Sequence, residues 1–81
     1  MGNVAVLFRI YTEPGNEEAV RKEIIKDLNP KGTELKEVAF GIKVVKVLFI
    51  HDDKTGSSDI EEKLKKIKNV NEVEVTEETL I

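Results

Sequence analysis

Eighty-one residues, 40% of them hydrophobic, suffice for one small core and leave no room for a second. With no cysteine, disulfides, zinc ribbons and thiol chemistry are excluded. Sixteen acidic against thirteen basic residues give a net charge of −3, a balance that disfavours nucleic acid, whose phosphates call for a basic excess or stripe.

In chain order, Val4 to Tyr11 alternates as a strand, with Val4, Val6, Phe8 and Ile10 on the core face. Thr12-Glu13-Pro14-Gly15 ends it. Asn16 is the expected N-cap of a helix in which Glu17 and Glu18 suit the positive end of the dipole. Val20, Ile24 and Leu28 form its apolar stripe, widened by Ala19 and Ile25, and Asn29-Pro30-Lys31-Gly32 stops it. Glu34 to Val38 reads as a short edge strand, although Leu35 and Val38 are out of strict alternation, and Ala39 to Ile42 is the expected connection.

Lys43 to His51 is the central strand, holding the apolar run Val44 to Ile50 that only Lys46 interrupts. Val45, Val47 and Phe49 should face the core, and Val44, Lys46, Leu48 and Ile50 the wet side. Ser58-Asp59-Ile60-Glu61 is a capping box opening a second helix. Ile60, Leu64 and Ile67 are its buried stripe, with Glu61–Lys65 and Glu62–Lys66 as outward i,i+4 pairs. Asn69-Val70-Asn71 turns the chain into a last strand carrying Val73 and Val75, followed by a tail, Glu77 to Ile81. Strand, helix, strand, strand, helix, strand predicts an α+β, ferredoxin-like βαββαβ sandwich, with two helices on one face of a four-stranded antiparallel sheet in the order 4-1-3-2.

Reactive chemistry is hard to find. His51 reads as a surface residue rather than a general base. Asp52-Asp53-Lys54-Thr55-Gly56 reads as a solvated turn, because calcium takes roughly six or more oxygen ligands and the EF-hand spacing is missing. On the wet sheet face, Leu7, Tyr11, Val44, Leu48 and Ile50 lie beside Arg9 and Lys46, with too few aromatics for stacked RNA bases. That face suits a protein partner or is simply a poorly hydrated sheet. Phe40, beside Gly41 at a strand junction, either tucks beneath the helices or stands exposed as an interface anchor.

Val38-Ala39-Phe40-Gly41-Ile42-Lys43-Val44-Val45-Lys46-Val47, followed by Ile50-His51-Asp52-Asp53-Lys54, resembles the central segment of the translation elongation factor 1-beta family. The opening Met1 to Ile10 and the closing Asn69 to Thr76 are similar to its short archaeal form, so the likeness spans essentially the whole chain. Phe40 to Lys43 is its most specific part. The resemblance implies a guanine-nucleotide exchange factor whose partner is the GTPase elongation factor 1-alpha, in its GDP-bound and nucleotide-free states. It implies partner contacts at Phe40, Gly41, Lys43, Asp52 and Asp53, and at Leu80 and Ile81 near the magnesium and phosphates. Eukaryotic relatives carry lysine next to last where this chain has Leu80, which leaves displacement by Leu80 and Ile81 or by another element. The expectation is thus one cytoplasmic, non-enzymatic exchange domain over residues 1–81, monomeric when free, with no cofactor, metal, nucleic acid or membrane. The alternative is a small-molecule-binding regulatory domain of the same fold, working as a dimer and using Pro14-Gly15 as its ligand loop.

Overall fold

Strict alternation drives the first apolar stretch into a strand, and tertiary pairing lengthens it. The computed structural model describes residues 2–52 and 57–81, and the side chains of all of these but Ser57 and Ser58. Its elements are β1 (Asn3–Thr12), α1 (Glu17–Leu28), β2 (Gly32–Ala39), β3 (Ile42–Asp52), α2 (Ser57–Lys65) and β4 (Val70–Leu80). All pairings are antiparallel, and the strands lie in the order β2-β3-β1-β4, the predicted arrangement viewed from its other edge. The ferredoxin-like α+β architecture is therefore as expected.

The core lies between sheet and helices because alternate strand residues meet one stripe from each helix. Val6, Phe8 and Ile10 from β1 join Val45, Val47 and Phe49 from β3, Val73 from β4, Val20 and Ile24 from α1, and Leu64 from α2. Phe8 and Phe49 meet edge to face with ring centroids 5.9 Å apart, the geometry that the ring quadrupoles favour. The α1 stripe is narrower than predicted: Ala19 is exposed and Ile25 is 41% exposed, since only the row through Val20 and Ile24 reaches the sheet.

Local chemistry departs from expectation at several points. Asn16 starts α1 through its carbonyl, which accepts the Val20 N–H at 2.9 Å, but its side chain makes no capping bond. The Glu17 carboxylate instead accepts the Gly15 N–H at 3.1 Å. Asn29 ends α1 in the left-handed region, with φ 49° and its N–H bonded to Ile25 O. Of the pairs predicted on α2, Glu61–Lys65 closes at 3.1 Å; the capping side chain of Ser58 lies outside the described residues. Val44 points away from the helices yet is fully buried. Tyr11 and Lys36 stand in register on either side of it, and a ring and an aliphatic stem suffice to cover a valine.

The largest difference is β4, which runs on through residues 77–80 where a tail was expected. Backbone pairing holds it: Val4 lies opposite Leu80, and Asn3 and Ile81 exchange N–H to O bonds of 3.2 and 2.8 Å. Register shifts leave Asn71 and Thr76 as extra residues. The Thr76 hydroxyl donates to Leu7 O at 3.0 Å, satisfying a carbonyl where the ladder is interrupted.

Candidate functional site

Six of the seven residues predicted to touch a partner fall into two groups at opposite ends of the sheet, and the seventh, Asp53, lies outside the described residues. At one end Asn3 is the hub: Asp52 is its register partner on β3, and Ile81 exchanges backbone bonds with it beside Leu80. Leu80 and Ile81 remain 70% and 61% exposed despite their pairing. At the other end β2 and β3 run on past the last β1–β3 partners, Tyr11 and Val44, as a projecting hairpin. From Lys43 to Asp52 along β3, about 3.3 Å per residue separates the groups by roughly 30 Å. No single patch gathers these residues.

The hairpin tip is built by a two-residue turn. Ala39 and Ile42 pair, leaving Phe40 and Gly41 between them with φ values of 35° and 82°. Positive φ at both central residues is the type I′ pattern, which matches strand twist and normally takes Asn-Gly. Gly41 adopts it freely; phenylalanine there is an outlier. Phe40 is fully exposed, which decides between core and surface in favour of surface. One residue is inserted between Glu37 and Ala39, making Val38 a bulge and explaining why Leu35 and Val38 fall out of alternation. The bulge and the turn leave Val38 and Ile42 43% and 56% exposed beside Phe40. The Gly41 N–H donates to Glu37 Oε2 at 2.7 Å, and Lys43 sits directly across from Glu37. Sequence reasoning missed Val38, Ile42 and Glu37; the pattern of apolar residues spaced by two around Phe-Gly was the available signal.

Between the two ends the open face carries a row of charges across the strands: Glu34, Lys46, Arg9 and Glu74 are successive register partners. Like charges opposite each other repel, and the outer glutamates compensate. Arg9 lies 3.5 Å from the Tyr11 hydroxyl and 3.4 Å from Glu74 Oε1. Its guanidinium is held above its ordinary value, first by Tyr11 and to a lesser extent by Glu74.

Other candidate sites are plainer. His51 approaches its neighbour's carbonyl, Nδ1 to Asp52 O at 2.8 Å, a contact that requires the proton on Nδ1, and its Nε2 has no hydrogen-bond partner among the described residues. Gly15 in the proposed ligand loop spends its N–H on Glu17. A groove of about 530 Å³ between α1 and α2 is walled by Glu23 and Asp27 on one side and Lys63 and Lys66 on the other. Among the described residues no polar or charged residue is buried, so the groove lacks an enclosed group to orient a small ligand. No cluster of three or more His, Asp or Glu suited to a metal occurs among the described residues. No helix there is long and apolar enough to cross a membrane.

Residues 16–81 match the family described as the EF-1 guanine nucleotide exchange domain. The chain is also similar to a protein named elongation factor 1-beta from Methanosarcina mazei, 33% identical over 85 aligned positions that cover 95% of this chain and 96% of the relative. A second, from Aeropyrum pernix and of the same name, is 32% identical over 83 positions covering 93% and 92%.

Proposed function

Because the chain belongs to the EF-1 guanine nucleotide exchange domain family, we propose that it speeds GDP release from elongation factor 1-alpha by gripping that GTPase at both ends of its sheet. The observation that carries the reading is Phe40, a large apolar side chain held fully in solvent on a strained turn. A residue kept in that state at a cost in stability is best explained by a pocket elsewhere.

No bond need be made or broken. The factor has only to bind the nucleotide-free or distorted GTPase better than its GDP form; by linkage the same factor then lowers GDP affinity. In this scheme Phe40, Gly41 and Lys43 anchor one side of the partner. Asp52, Asp53, Leu80 and Ile81 press on another, near the bound magnesium and phosphates. The Leu80 and Ile81 side chains bring bulk and no cationic group, so they act there by occupying space and excluding water rather than by replacing the metal. Pinned to Asn3 through the sheet, they would push as part of a rigid strand instead of probing as a loose tail. The whole chain works as one cytoplasmic unit, monomeric before it meets its partner.

Release of labelled GDP from elongation factor 1-alpha of the same organism is the direct test. Burial of a phenylalanine side chain is worth about 1.5–3 kcal/mol, so Phe40→Ala should slow stimulated release by roughly 10- to 150-fold. Its circular dichroism should match that of the parent. Unchanged release would remove the anchor role. Deleting Thr79 to Ile81 should cut exchange while preserving helicity, and a fully active truncation would dismiss the second contact.

A further inference from the structure

We propose that Glu37 is a positioning residue for exchange: its carboxylate, by accepting the Gly41 N–H, holds the strained turn that presents Phe40 to the partner. This rests on the exchange reading above and extends it to a residue with no role there.

Residues in sparsely populated backbone regions persist only where their surroundings over-determine them. At Phe40 the usual restraint, packing, is missing: the side chain is fully exposed, and a Cβ built on Gly41 meets no atom within 4 Å. What remains is hydrogen bonding. Ala39 and Ile42 close the hairpin, but that pair is compatible with several turn geometries. The Glu37 Oε2 to Gly41 N bond of 2.7 Å is more selective, because it fixes the direction of the peptide joining Phe40 and Gly41. Because the bond is exposed to solvent, screening leaves it near the ordinary net worth of a hydrogen bond, and reach matters more than charge. The bulge at Val38 shifts the strand so that a side chain two places before the pair can reach over the tip. Without the bond the tip samples other turns, and the partner must select the competent one from a mixture. Apparent affinity then falls by the fraction lost.

One hydrogen bond is worth about a two- to tenfold change in such an equilibrium. Glu37→Ala should therefore raise the concentration of factor needed for half-maximal GDP release by about that factor, while the saturating rate stays near that of the parent. Glu37→Gln, which keeps reach and an acceptor oxygen, should stay close to the parent. Glu37→Asp, which keeps charge but is one methylene short, should behave like Glu37→Ala. In free protein, the Gly41 amide proton resonance should move upfield in the Ala and Asp variants and not in the Gln variant. In a Phe40→Ala background, Glu37→Ala should have almost no further effect on exchange. The proposal is overturned if Asp is active and Gln is not, since charge and not reach would then matter. It is equally overturned if the Gly41 resonance ignores Glu37, or if Glu37→Ala costs as much without Phe40 as with it. A parent protein that fails to release GDP at all would refute the functional reading, while the resonance measurements would still decide whether Glu37 holds the turn.

Discussion

Phe40 sits where its own backbone would rather have a different residue. A non-glycine residue with positive φ costs about 1–3 kcal/mol, and asparagine escapes much of that by local hydrogen bonding. Phe40→Asn recreates the favoured Asn-Gly turn and should stabilise the fold by about 1 kcal/mol, raising Tm by roughly 4–8 °C for a domain of this size. The same substitution should abolish most exchange, and opposite signs in the two assays would identify the strain as functional. If Tm falls instead, the turn does not have the assigned geometry. The sequence placed a connection over Ala39 to Ile42 and left Phe40 either buried or exposed, but the backbone strain was not legible there. Periodicity says which face a strand residue takes, and it is silent at the two residues of a turn. The spacing showed Phe-Gly between apolar runs, but only backbone pairing between Ala39 and Ile42 decides that the ring points into water.

At the scale of elements, side-chain pattern and backbone pairing made different contributions. Both helices were readable because their stripes are strong: Val20 and Ile24 on α1, Leu64 on α2. Leu64 is the one residue of α2's described side chains that is fully buried, and it should dominate that helix's attachment. Leu64→Ala should cost about 2–5 kcal/mol in urea unfolding, whereas truncating the half-exposed Ile25 should cost far less. Equal costs would mean α2 is not held by that contact. β4 was half legible for the converse reason. Beyond Val75 its side chains are mostly polar, so no hydrophobic alternation announces a strand. The ladder continues because the far edge of β1 would otherwise leave its N–H and C=O groups without partners. Val44 lies on the open face as expected, yet Tyr11 and Lys36, its in-register neighbours, bury it where Lys46 on the same face suggested exposure. One surface pair carries a pH signature: Arg21, bonded to Glu18, holds that carboxyl below its ordinary range. Its stabilising effect is present above the unfolded carboxyl's range and lost as pH falls through the lowered one.

For the molecule as a whole, the fold was predictable and the layout of the site was not. Residues 38–54 look continuous in the sequence, and the rigid length of β3 is what carries Phe40 and Asp52 to opposite ends. Two contacts roughly 30 Å apart share no neighbours, so their effects should be independent. Phe40→Ala and Leu80→Ala should therefore multiply: the double variant's loss of exchange should equal the product of the single losses. A double variant no worse than either single one would mean that the two contacts act only together, against their independence.

The outer margin of β4 also bears on how the chain meets copies of itself. Glu72, Glu74, Glu77 and Glu78 lie along this edge, which pairs with no other strand among the described residues, and its two irregularities at Asn71 and Thr76 spoil the straight template that another strand would need. A second molecule laid alongside would bring carboxylates near one another at several points of the seam. Crowded in a cell, the protein thus carries its own deterrent to fibrous stacking, written in the same polar residues that hid the strand from view.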